Sequence, residues 1–127
     1  LPFLQTVLRD FSIVPFLVGD ADTSEVAEVI ERLWGGDETL IVVSSDLSHY
    51  LDYESARAID AETSRAIENL RPEAISDYQA CGRNPLKGLL YEAKRHGLRA
   101  RTLDLRNSGD TAGPRNQVVG YGAYAFD

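Results

Sequence analysis

Cysteine, histidine and methionine are the scarce residues of this 127-residue chain: one Cys, two His and no Met. A single cysteine cannot close an internal disulfide, which excludes a secreted cystine scaffold and a four-cysteine zinc module. A reducing, cytoplasmic setting is the matching expectation. No apolar run approaches the ~20 residues that a membrane helix requires, and nothing reads as a secretory leader. Leu1 stands where a natural product would begin with Met, so the chain is expected to be a segment of a longer protein. There is no Pro/Gly-rich linker and no repeat, and the length suits one domain over residues 1–127.

What is present is ordinary for a globular fold: 43% hydrophobic and 26% charged residues, with 13 basic against 20 acidic side chains. Charge is unevenly spread, however. Residues 1–80 carry 5 basic and 16 acidic side chains, residues 81–127 carry 8 and 4. The basic set Lys87, Lys94, Arg95, Arg99, Arg101 and Arg106 lacks interleaved aromatics, so it reads as solvated helix and strand faces and no nucleic-acid partner is expected.

Hydrophobic periodicity predicts an α/β fold. Pro2 with Leu4, Val7, Leu8 and Phe11 suits a short opening helix. Ser12 to Val18 and Thr39 to Ser44 are β-branched, apolar runs without alternation, the pattern of strands covered on both faces in a mainly parallel sheet. Between them, Asp22 and Glu25 form an acidic capping box for a helix with Val26, Val29, Ile30 and Leu33 on one face, ended by Gly35 and Gly36. Asp52 caps a long helix to about Asn69, with Ala56, Ile59, Thr63, Ala66, Ile67 and Leu70 inward, and Pro72 opens a short one. Asn84 and Pro85 read as cap and first turn of a helix that Gly97 ends. Arg99 to Arg106 and Gln117 to Phe126 read as a C-terminal strand pair around a polar loop, with Gly120 and Gly122 marking a bend or close backbone approach.

Two stretches carry chemistry-bearing side chains. Ser44-Ser45-Asp46-Leu47-Ser48-His49-Tyr50 follows a predicted strand, at the end where α/β sheets bind ligands, and a carboxylate three residues from an imidazole can hold a metal or share a proton. The plainer alternative is that Asp46 and the serines cap the next turn while His49 packs. Cys81 precedes a helix start and Arg83, which suits a soft ligand or a nucleophile, although buried inert cysteine is the commoner case. Asn107-Ser108-Gly109-Asp110 reads either as a self-bonded turn or as a pocket lining. His96 before Gly97 suits a helix C-terminus, and Trp34 suits hydrophobic closure. With only two histidines, a non-haem iron site of two histidines and a carboxylate would need imported ligands.

The stretches Ile41 to Tyr50, Ala80-Cys81-Gly82-Arg83, Asn107 to Gly113 and Val118 to Phe126, in that order, resemble the Memo family. Bacterial and archaeal members are also called AmmeMemoRadiSam system protein B. The resemblance covers the whole chain and matches the second half of a member. It implies a fold similar to class III (LigB-like) extradiol dioxygenases, which open catechol rings with non-haem iron. It also implies a pocket to which His49 and Cys81 contribute as metal ligands and Asp46 as a neighbouring carboxylate acting with His49, lined by Ser45, Asn107, Ser108 and Asp110. A thiolate among the ligands favours a redox metal, iron or copper, over dioxygenase-type ring cleavage. The expected function is a metal-dependent, dioxygenase-related oxidoreductase whose segment is inactive alone. The alternative is a non-catalytic pocket that binds a peptide or protein, with AMMECR1-like and radical SAM proteins as partners. A metal-free Cys81–His49 hydrolase is the remaining option.

Overall fold

The computed structural model describes all 127 residues. Four α-helices, α1 (Pro2–Val7), α2 (Thr23–Arg32), α3 (Tyr53–Glu68) and α4 (Arg83–Arg95), accompany three strands, β1 (His49–Leu51), β2 (Ala100–Asn107) and β3 (Val118–Phe126). Short 3-10 turns span Pro72–Ala74 and Ser108–Asp110. The predicted helices are all present, and their caps explain where they start. Asp22 accepts from the Ser24 and Glu25 N–H groups while Glu25 reaches back to the Asp22 N–H, and Asp52 accepts from the Ser55 N–H. The α4 start differs from expectation. Gly82 occupies the cap position, with no side chain to bond, and Asn84 sits inside the first turn with its amide donating to the Gly19 carbonyl 2.9 Å away. Gly97, at φ 70, supplies the left-handed turn that ends this helix.

The sheet is antiparallel throughout, in the order β1-β3-β2. The C-terminal pair forms as expected, with Ala100 opposite Phe126 and Asn107 opposite Gly120. The expected parallel strands at 12–18 and 39–44 do not form ladders here. No backbone-to-backbone hydrogen bond involves residues 9–18 or 40–45, and large side chains along them are open to solvent, Leu17 fully and Val14 at 72%. The reason is physical: a strand apolar on both faces needs two covering layers and paired neighbours, and this chain supplies neither for those segments.

The core lies between helices and sheet. Ala66, Ile67, Ile75, Ala80, Leu86 and Leu90 form one buried cluster, and Val26, Ile30 and Leu89 form a second at the α2–α4 contact. Val43 and Phe126 pack against both, so they join the two clusters. Each Val, Ile or Leu among them contributes roughly 1.5–3 kcal/mol when fully buried. Gly88 lets α2 and α4 approach closely, since a Cβ there would overlap the Val26 side chain.

One carboxyl group is buried at the contact between α3 and the sheet. Asp60, on the inward face of α3, is 2% exposed and accepts the Ser48 N–H at 3.0 Å. It lies directly against the backbone of Gly120, where a Cβ would overlap its carboxylate. Gly120 in turn bonds the Leu47 N–H and Ser48 carbonyl, each at 2.8 Å, so α3, β3 and the strand leading to His49 are locked together. Gly120→Ala is expected to destabilise the chain by about 1–3 kcal/mol through overpacking, seen as a lower urea midpoint with an unchanged slope; an unchanged midpoint would contradict this packing.

Candidate metal centre

The residues from Ser44 to Tyr50 and from Ala80 to Arg83 meet face to face. The Cys81 N–H donates to the Asp46 carbonyl at 3.3 Å, and the Asp46 N–H donates back to the Cys81 sulfur at 3.2 Å. Beside them the Ser45 hydroxyl accepts the Gly82 N–H at 2.8 Å, donates to the Asp46 carbonyl at 2.6 Å, and sits 3.7 Å from Cys81 Sγ. These contacts fix the sulfur at the end of the segment that carries Asp46 and His49. The absence of a side chain at residue 82 permits the approach, since a Cβ would lie 2.7 Å from Ser45 Cβ and 3.0 Å from the Ser44 carbonyl.

His49 is brought to the same place by β1. Its Nε2 lies 3.6 Å from Asp46 Oδ2, and its ring tilts against Tyr50 with centroids 5.7 Å apart. Tyr50 adopts φ 60, a left-handed conformation that costs roughly 1–2 kcal/mol for a residue with a Cβ, and the β1–β3 register shifts at this point. The kink lies immediately after His49, where β1 leaves regular pairing with β3. One carboxylate oxygen, one imidazole nitrogen and one sulfur, from Asp46, His49 and Cys81, all lie within 4.8 Å of one another. All three side chains are open to solvent on one side. Arg83 does not join them; its guanidinium pairs with Asp77 at 2.8 Å.

The other sequence candidates lie elsewhere. Asn107 and Asp110 line a cavity of about 180 Å³ with Arg57, Asp60 and Arg106, and its walls include none of Asp46, His49 or Cys81. The Ser108 hydroxyl accepts the Val119 N–H at 3.2 Å. Asn107 and Asp110 form a reciprocal cap on their own 3-10 turn. This loop is pinned to the start of α3: the Tyr53 hydroxyl donates to Asp110 at 2.5 Å, and Arg115 stacks over the Tyr53 ring at 4.4 Å. The Tyr53 hydroxyl, then the Asn107 N–H, hold the Asp110 carboxyl below its usual range. Burial pushes the Asp60 carboxyl up, the Ser48 N–H opposing it. The role of Asp60 was missed because a lone Asp on a helix reads as surface; its signal was its place on the Ala56–Thr63–Ile67 face.

The geometry can be compared with known proteins. A family model described as Memo-like protein matches residues 1–125. The chain belongs to the Memo-like family. A MEMO1 family protein of Archaeoglobus fulgidus is 36% identical over 98% of this chain and 52% of its own length. Those of Methanosarcina mazei and Aeropyrum pernix are each 36% identical over 97% of the chain, covering 51% and 48% of their own lengths. The chain thus spans about half the length of the curated relatives it matches.

Two outcomes are expected. Gly82→Ala is expected to push the Ser45 and Gly82 segments apart and lower the urea midpoint while leaving the helical circular dichroism in place; a midpoint equal to the parent would refute the role of that contact. Because the Asp110 carboxyl is held low in the folded state, its contribution to stability is present above the ordinary carboxylate pKa and is lost as pH falls through the lowered value. Melting temperatures measured between about pH 6 and 3 should therefore fall less steeply for Asp110→Ala than for the parent.

Proposed function

We propose that this chain carries the Asp46, His49 and Cys81 part of a redox-metal pocket in a Memo-like cytoplasmic protein, with iron or copper as the metal. The observation that carries this reading is the convergence of an oxygen, a nitrogen and a sulfur donor from two distant segments within 4.8 Å. A mixed set of this kind suits a borderline or soft transition metal better than calcium or magnesium, which take oxygen ligands. When bound, such a metal supplies Lewis acidity and one-electron chemistry.

The chain's own residues then have distinct tasks. Cys81 and His49 hold the metal. Asp46, 3.6 Å from the imidazole, orients His49 and can hold a proton taken from a substrate hydroxyl. In a protein of the relatives' length, further ligands and a mainly parallel, extradiol-dioxygenase-like sheet would complete the pocket, with residues 12–18 and 39–44 as two of its strands. That arrangement makes the protein a metal-dependent oxidoreductase related to the dioxygenases.

The test is metal content. His49→Ala and Cys81→Ala should each lower bound iron or copper, measured by mass spectrometry after purification without chelators, by at least about tenfold; equal content in parent and both variants would reject the reading. A second reading is favoured by the solvent-exposed Phe16, Leu17 and Val14: a non-catalytic module that docks a peptide or protein, AMMECR1-like and radical SAM proteins being the proposed partners. Capture of those partners that survives His49→Ala and Cys81→Ala but is lost on Leu17→Glu would favour it over metal chemistry.

A further inference from the structure

A second group of ligating side chains lies away from Asp46, His49 and Cys81, where the C-terminal ends of α2 and α4 meet. Glu31 stands in the last turn of α2, and Glu92 and His96 stand one turn apart at the end of α4. His96 Nε2 is 2.7 Å from Glu31 Oε2 and 3.9 Å from Glu92 Oε2, and one ligand atom from each of the three residues lies within 4.8 Å of the others. Three features set this group apart from a surface ion pair. Glu92 is only 1% exposed, so its carboxylate is held inside the helix contact. The imidazole is fixed by coplanar stacking on Trp34, 3.9 Å between centroids and 3° between planes. Two helix C-termini, each the negative end of its dipole, converge on the same spot as the two carboxylates.

We propose that Glu31, Glu92 and His96 form a divalent-cation site of the zinc class that clips α2 to α4. Bonds of ~2.0–2.2 Å from zinc to nitrogen and oxygen place tetrahedral ligand atoms roughly 3.4 Å apart. From 2.7 and 3.9 Å, the Glu31 contact must therefore open by about 0.7 Å and the Glu92 contact close by about 0.5 Å, and the exposed Glu31 side chain is free to make its part of the change. Solvent completes the coordination. Arg95 donates to both Glu92 oxygens at 2.9 Å and orients that carboxylate, while its charge tempers the affinity. Uptake displaces any hydrogen between His96 and Glu31 into solvent, so affinity rises with pH.

The chain provides its own reporter, since Trp34 is its one tryptophan. In a His49→Ala/Cys81→Ser background, stripped of metal, Co²⁺ should quench Trp34 emission saturably at one equivalent, and excess Zn²⁺ should reverse the quench. Glu31→Gln and His96→Gln should each weaken the apparent Co²⁺ affinity at least about tenfold, and Zn²⁺ should raise the melting temperature of the parent but not of His96→Gln. Glu31→Gln in the otherwise unaltered chain, made at an exposed residue, repeats the measurement should the background variant fold poorly. Absence of saturation by about 1 mM Co²⁺, or identical quenching in Glu31→Gln and His96→Gln, would overturn the proposal and leave the group as a proton-held ion pair. The background lacks His49 and Cys81, so this result is independent of the redox-metal pocket.

Discussion

The structure depends on one short clamp between segments 35 residues apart. Asp46 and Cys81 exchange backbone and sulfur hydrogen bonds, and Ser45 closes the side of the clamp on Gly82. Everything that matters to the site is referenced to it. Gly82 begins α4, so the clamp sets where that helix enters the core. Leu47 and Ser48 follow immediately and bond Gly120, so it also sets how β1 approaches β3. A hydrogen bond of this kind contributes only about 0.5–1.5 kcal/mol net, so it is the set of bonds acting together that fixes how the two segments meet.

Asp60 extends that constraint inward. A carboxylate pushed up by burial is an expensive way to hold one N–H, and its proximity to Gly120 shows that the strand is shaped around it. The left-handed Tyr50 stores further strain two residues beyond Ser48. Backbone strain and a buried carboxyl thus lie close to His49, while a second buried carboxylate, Glu92, lies at the α2–α4 contact.

The helices were legible in the sequence because each has a local cause: the Asp22–Glu25 box, the Asp52 cap, the glycine at residue 97. The C-terminal strand pair was legible as two runs, Arg99 to Arg106 and Gln117 to Phe126, around a polar loop. The meeting of His49 with Cys81 was not, since nothing local couples residues in different segments; only the family resemblance pointed to it. The parallel strands expected from the apolar runs at 12–18 and 39–44 do not pair within these residues, because an apolar run records what a segment is suited to pack against and not what is present to cover it. Asn84 is not the cap because α4 already begins at Arg83, which puts Asn84 inside the first turn, where its amide ties the helix to the Gly19 carbonyl.

Cys81 is the sole thiol of the chain and it faces water. Oxidation can therefore tie together two copies and never more, and the linking sulfur would be the one that the clamp holds beside Asp46. Covalent dimers in an aged preparation would count molecules whose Cys81 is no longer a free thiol.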